Sequence, residues 1–84
     1  MLTHKKCELA REATGSFAPD NEIIAEYEAM PEEERDRIGK ELSDMFNDDM
    51  SNTREVFYEL SAKHFTSYPV LFCLFKDWQA KNKK

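Results

Sequence analysis

The segment from residue 68 to residue 75 constrains the fold most, because it is the one stretch of the chain that is apolar on every side. It reads Tyr-Pro-Val-Leu-Phe-Cys-Leu-Phe. As a helix it would carry a core stripe at the i, i+3, i+4 and i+7 spacing, formed by Leu71, Leu74, Phe75 and Trp78. Phe72 and Cys73 would lie on the other side. The segment is therefore predicted to be either the central helix of a small core or half of a binding surface.

The rest of the chain indicates short amphipathic helices separated by polar breaks. Gly15 marks the end of a first helix, and Pro19 and Pro31 mark the starts of the next two. A polar run over residues 47–52 separates the third helix from the fourth, and apolar residues recur at helical spacing between these breaks. The sequence thus predicts an all-α fold: a single compact bundle of four to five short helices over residues 1–84, with a deeply packed C-terminal helix.

Local details of the helices are predicted as well. The first helix is expected to dock peripherally through an apolar face formed by Leu2, Leu9 and Ala13. Asn52 followed by Glu55 is typical of a capping box at the start of the fourth helix. Gly39 lies inside the third helix, where glycine costs roughly 1 kcal/mol relative to alanine. A close helix crossing would explain that glycine.

The charge of the chain is unevenly distributed. The formal net charge is −5, and acidic residues outnumber basic ones between residues 20 and 59. The C-terminal part is basic, with Lys63, Lys76, Lys81, Lys83 and Lys84. Lysine and arginine contacts to phosphate supply most nucleic-acid affinity, so the acidic middle argues against direct binding of nucleic acid.

The composition also predicts a compartment. Cys7 and Cys73 are too few and too far apart in sequence to indicate a disulfide framework. The apolar run at 68–75 is much shorter than the about 20 residues that a membrane span needs. We therefore expect a soluble cytoplasmic protein with reduced thiols and no membrane partner.

Patterns that support catalysis or metal binding are missing from the sequence. The chain has no glycine-rich phosphate loop and no H-E-x-x-H, C-x-x-C or G-x-S-x-G motif. A zinc set would have to combine His4, Cys7, His64 and Cys73, which lack the paired spacing of zinc ligands. Residues 44–55 have the length of a calcium-binding loop but lack its central glycine. We therefore predict a protein that is not an enzyme and has no cofactor or metal.

Two surfaces are candidates for binding another protein. The first is an acidic surface, which would speed association with a basic partner; it comprises Glu26, Glu32, Glu33, Glu34, Asp36, Asp48 and Asp49. The second is the outer side of the fifth helix, where Tyr68 and Phe72 would anchor the contact. If the fold covers Phe72, the acidic surface is favoured; if Phe72 is bare, the fifth helix is favoured.

These observations predict a small acidic protein-binding module of a bacterial or phage type. It would act as a regulator, inhibitor or accessory subunit by covering a surface of its partner. Two alternatives stay open. The acidic surface could mimic nucleic acid and inhibit a DNA- or RNA-binding enzyme, or the chain could be a structural homodimer that pairs through its fifth helix.

The last nine residues, 76–84, follow the pattern K-x-W-x-A-x-N-x-K. This stretch resembles the end of the last helix of colicin DNase immunity proteins, which are similar in size, acidic and helical. The family binds its nuclease through two tyrosines before a proline, whereas Tyr68-Pro69 has a single tyrosine. The resemblance covers these nine residues only, and no residue role is carried over from it.

Overall fold

The structure is a computed structural model that describes residues 2–82. Five α-helices lie within that range: α1 (His4–Thr14), α2 (Asp20–Glu28), α3 (Glu32–Met45), α4 (Thr53–His64) and α5 (Tyr68–Lys81). Residues 2–82 contain no strand, and the predicted all-α bundle is confirmed. None of these helices is both long enough and apolar enough to cross a bilayer. Lys83 and Lys84, part of the predicted basic end, lie outside the described residues.

The ends of α1 follow the local signals of the sequence. The hydroxyl of Thr3 accepts a hydrogen bond from the backbone N–H of Lys6 at 3.2 Å, which satisfies one of the free donors of the first turn. Gly15 ends the helix with φ of 67°, a left-handed conformation that costs glycine little. Pro19 and Pro31 stand directly before α2 and α3.

The predicted capping box at the start of α4 is wrong. The side chain of Asn52 makes no capping hydrogen bond to its own helix. Its amide donates to the carbonyl oxygen of Met45 at 2.8 Å, and its amide oxygen accepts from the backbone N–H of Asn47 at 2.8 Å. Asn52 therefore closes the turn between α3 and α4, because the end of α3 offers free backbone groups within reach.

Helix α5 is the centre of the bundle, as predicted. More of its residues are buried than in any other described helix: Pro69, Val70, Leu71, Cys73, Leu74 and Phe75. The start of α3 meets the end of α5, since Lys81 binds Glu32 and Asp36. The two helices therefore run antiparallel, and α1 packs along another side of α5.

Gly39 lies where α3 and α5 cross. A Cβ atom added at this glycine would stand 2.7 Å from the carbonyl oxygen of Leu74 and 2.7 Å from the Cβ of Trp78. Both distances are far below van der Waals contact, so any side chain would separate the helices. The close crossing proposed for this glycine is therefore present.

The apolar face of α1 differs from the prediction. Cys7 and Ala10 are fully buried, together with Leu2, whereas Leu9 is 49% exposed and Ala13 is exposed. The small side chains of Cys7 and Ala10 allow α1 to lie close against α5. The bulkier Leu9 is left at the edge of this contact, and α1 is an integral part of the bundle.

The predicted core stripe of α5 is confirmed at three of its four positions. Leu71, Leu74 and Phe75 are buried, but Trp78 is only half-buried. Trp78 lies in the last turns of α5 beside the exposed Ser43 and Gln79, so its ring reaches the surface of the bundle.

An ion-pair cluster joins α1 to the start of α2. Asp20 pairs with both His4 and Arg11, and Arg11 also donates to the carbonyl oxygen of Ala18 at 3.3 Å. The hydrogen bond and charge of Asp20 raise the pKa of His4 above its ordinary value. Hydrogen bonds from His4 and Arg11 hold the pKa of Asp20 below its ordinary value.

This cluster predicts a pH dependence of stability. A raised pKa at His4 stabilises the fold fully below its ordinary value of 6.5, and that contribution is lost as pH rises through the folded-state pKa. A lowered pKa at Asp20 stabilises the fold above its ordinary value of 3.8, and that contribution is lost in stronger acid. The melting temperature of the native chain should therefore exceed that of His4→Gln most clearly between these two values. A difference that grows toward alkaline pH would contradict this assignment.

Candidate functional site

An open groove runs along the seam between α1 and α5, on a side of α5 that α3 does not cover. Its volume is about 670 Å³, within the range of ligand and peptide sites. The apolar lining comes from Leu9 and Ala13 on α1 and from Phe72 and Cys73 on α5. Charged side chains stand at its edges: Lys6, Glu12, Lys76 and Asp77. We call this feature the α1–α5 groove.

The groove continues toward the start of α4. Ala13 and Phe72 also line a second depression of about 550 Å³, which extends to Tyr68, Phe57 and Arg54. Along α5 the combined lining runs from Tyr68 to Ala80. At about 1.5 Å of rise per residue, this stretch is about 18 Å long.

The burial of Phe72 is the criterion that separates the two predicted binding surfaces. It is half-buried and forms part of the groove lining, so the bundle does not cover it fully. The ammonium nitrogen of Lys76 stands 5.6 Å from the centre of its ring, a cation–π contact that holds the lysine over the groove. The other predicted aromatic anchor, Tyr68, is also half-buried and meets the ring of Phe57 edge-on at 6.0 Å. Both aromatic rings are therefore positioned by packing.

Cys73 gives the groove an unreactive floor. Burial raises the pKa of its thiol to about 12, so the side chain stays a neutral thiol and acts as a small apolar group. Burial also raises the pKa of Cys7, on the facing helix. The thiolate needed for nucleophilic attack is disfavoured at both positions.

The end of the groove near Asp77 is polar and fixed. The hydroxyl of Tyr27 donates to the carboxylate of Asp77, and burial followed by this contact raises the pKa of Tyr27 to about 12. The guanidinium of Arg35 lies 4.5 Å from the centre of the Tyr27 ring and donates to the Tyr27 carbonyl oxygen at 3.3 Å. These contacts tie α2 and α3 to α5 at this end.

Several of the predicted acidic binding residues already hold the bundle together. The ammonium of Lys81 lies 2.8 Å from a carboxylate oxygen of Glu32 and 2.9 Å from one of Asp36, which raises the pKa of Lys81. Glu26 accepts hydrogen bonds from the backbone N–H of Ser67 at 2.8 Å and from its hydroxyl at 3.2 Å. Ser67 is the residue before the first turn of α5, and its side chain makes no capping bond. Glu26 therefore caps α5 through its hydrogen bonds to Ser67.

The remaining acidic residues lie at two ends of α3. Glu33 and Glu34 are in its first turn, whereas Asp48 and Asp49 follow its last residue. The 14-residue helix that separates them is about 20 Å long. Asp49 accepts from the backbone N–H of Ser51 at 3.0 Å, and bonds from Ser51 lower its pKa. The structure thus separates these acids into two groups, and their binding of a partner stays a prediction.

The four residues considered for zinc have other surroundings. His4 pairs with Asp20, while His64 lies 2.9 Å from a carboxylate oxygen of Glu41. Within residues 2–82, no three side chains of the His, Cys, Asp or Glu types gather closely enough to hold a metal ion.

Sequence reasoning found the two aromatic rings of the groove but not its α1 side. The apolar pattern of the sequence predicts Leu9 and Ala13 for the buried face of α1. The presence of Cys7 and Ala10 at an i, i+3 spacing was the available signal, because small residues mark a helix face that approaches a neighbour closely.

In comparisons with known proteins, no family model, no curated protein and no solved structure matches the chain.

Proposed function

We propose that this protein is a non-enzymatic binding module that receives an amphipathic helix of another protein in the α1–α5 groove. The observation that carries the proposal is the open apolar lining formed by Leu9, Ala13 and Phe72, which no other part of the described chain fills. Binding would cover the reactive or interacting face of the partner helix, as a regulator, inhibitor or accessory subunit does.

The dimensions of the groove favour a helix as the occupant. A lining of about 18 Å matches about three turns of an α-helix. The walls are themselves two helices, and a third helix can pack into the channel between them by its side-chain ridges. Apolar residues at i, i+3 or i+4 and i+7 of the partner would meet Leu9 and Phe72.

The charges at the edges specify an amphipathic occupant. Lys6 and Lys76 stand beside the groove with Glu12, and none of the three takes part in an ion pair among residues 2–82. Exposed charges at the edge of an interface contribute little affinity but set orientation and exclude wrong partners. A partner helix would therefore carry charges of both signs on either side of its apolar stripe.

The acidic surface has less support as the main binding site. Glu26, Glu32 and Asp36 are engaged within the bundle, and a partner would have to displace those contacts. This also weakens the nucleic-acid mimic, which needs a continuous array of available carboxylates. Pairing of two copies through α5 would use the same groove and is an outcome of the test below.

The proposal is tested by selecting binders from a displayed library of helical peptides with randomised faces. Selected peptides should share an apolar i, i+3 or i+4, i+7 stripe, and their affinity should fall about tenfold or more with Phe72→Glu, because a charge would enter the apolar lining. Calorimetry with the synthetic peptides would measure the change.

Phe17→Glu is the matched control, since Phe17 is 99% exposed and does not line the groove. The control should bind the peptides as the native chain does. Peptides that lose no affinity with Phe72→Glu, or lose as much with Phe17→Glu, would place the binding site elsewhere. Sedimentation showing a concentration-dependent dimer that Phe72→Glu abolishes would replace the partner helix with a second copy.

A further inference from the structure

Helix α4 carries a second surface, separate from the groove, that packing does not explain. Tyr58 is 71% exposed, and Phe65, which ends the helix, is 92% exposed. The outward face that carries them, which we call the acidic-aromatic surface, comprises Glu55, Tyr58, Glu59, Ala62 and Phe65. The buried face of the helix lies opposite and comprises Val56, Phe57 and Leu60.

Phe65 is placed there at a cost to the fold. Its backbone is left-handed, with φ of 53° and ψ of 45°, a conformation that a side chain with a Cβ atom disfavours. Glycine is the usual residue at such a helix end. A ring that is 92% exposed also gains almost nothing from burial. Neither the backbone nor the core therefore favours phenylalanine at this position.

The charges beside Tyr58 are negative and available. Glu55 and Glu59 lie one turn apart next to Tyr58, and neither forms an ion pair within residues 2–82. The nearby cation Lys63 is held by Glu41 at 2.6 Å, and Arg54 lines the depression at the start of α4.

We propose that the acidic-aromatic surface binds a lysine- or arginine-rich segment of a protein. Guanidinium and ammonium groups are attracted to the faces of aromatic rings, and the carboxylates of the same surface add charge attraction and faster association. The same carboxylates repel nucleic acid and acidic peptides. This surface is distinct from the α1–α5 groove, so the protein would contact two different partner segments.

The test uses a fluorescein-labelled peptide of alternating arginine and glycine, followed by fluorescence anisotropy at several salt concentrations. Phe65→Gly should weaken binding about three- to fivefold while the melting temperature stays the same or rises, because glycine suits the left-handed backbone. Tyr58→Ser should weaken binding to a similar degree. Unchanged binding in Phe65→Gly would overturn the proposal.

A charge-matched pair of variants separates local recognition from the net charge. The double variant Glu55→Gln/Glu59→Gln should weaken binding and reduce its salt dependence. The double variant Glu22→Gln/Glu28→Gln removes the same charge from exposed positions of α2 and should keep the native affinity. Equal weakening by both double variants would show attraction to the overall negative charge and would overturn the assignment to α4.

Discussion

Replacing Gly39 with alanine should lower the free energy of unfolding by about 2 kcal/mol. In an ordinary helix interior the same change would stabilise the protein by about 1 kcal/mol. Here the new methyl group would stand 2.7 Å from the Leu74 carbonyl oxygen and from the Cβ of Trp78. These atoms belong to the α5 backbone or are attached directly to it, so a rotamer change cannot relieve the clash. The predicted sign is therefore opposite to that of helix propensity.

Urea unfolding followed by circular dichroism would measure this loss, and the melting temperature should fall by about 10 °C. Trp78 is the single tryptophan and adjoins the crossing, so its fluorescence should report the displacement of α3. Ser43→Ala, at an exposed position of the same helix, is the control and should leave stability within about 0.5 kcal/mol. A Gly39→Ala protein more stable than the native chain would show that α3 and α5 do not cross this closely.

Replacing Glu26 with alanine should also lower the free energy of unfolding by about 2 kcal/mol, because a charged acceptor would be lost from two donors. The carboxylate binds the backbone N–H and the hydroxyl of Ser67, at the start of the most deeply buried helix. Its loss leaves part-buried donors without their acceptor and removes a negative charge from a helix N-terminus. Chemical unfolding would detect the effect.

Two further variants define the role of Glu26. Glu26→Gln keeps an amide oxygen that can accept and should lose only about half as much stability. Glu28→Ala removes an exposed carboxylate from the same helix and should be close to neutral. A Glu26→Ala protein of native stability would contradict the capping role and return this residue to the predicted acidic binding surface.

Some of the acidic residues predicted to bind a partner have a structural role instead. Lys81 binds Glu32 and Asp36, and Ser67 binds Glu26, so part of the acidic middle of the chain stabilises the packing of α5. Glu55 and Glu59 on α4 stay available beside the exposed Tyr58. We infer that the acids most suited to a partner lie on α4, a helix that carries none of the binding residues predicted from the sequence.

Local signals in the sequence determined the helical class and the order of the helices. Gly15, Pro19 and Pro31 set helix ends because their backbone preferences act without help from the rest of the fold. The apolar run at 68–75 predicted the buried central helix, since an element that is apolar on all sides must be surrounded. The same run singles out Phe72, because this residue lies off the core stripe of the helix.

Only the tertiary structure decided which side of α1 meets its neighbour and which distant side chains pair. Leu9 is larger and more apolar than Cys7 or Ala10, yet it is exposed, because the distance between α1 and α5 is set by the small residues. Glu26 and Ser67 are 41 residues apart, and no local pattern links them. Burial and pairing over such separations depend on how the helices cross. Thus the sequence by itself determined a helical bundle centred on its C-terminal helix, and the crossings determined the open groove and the available charges.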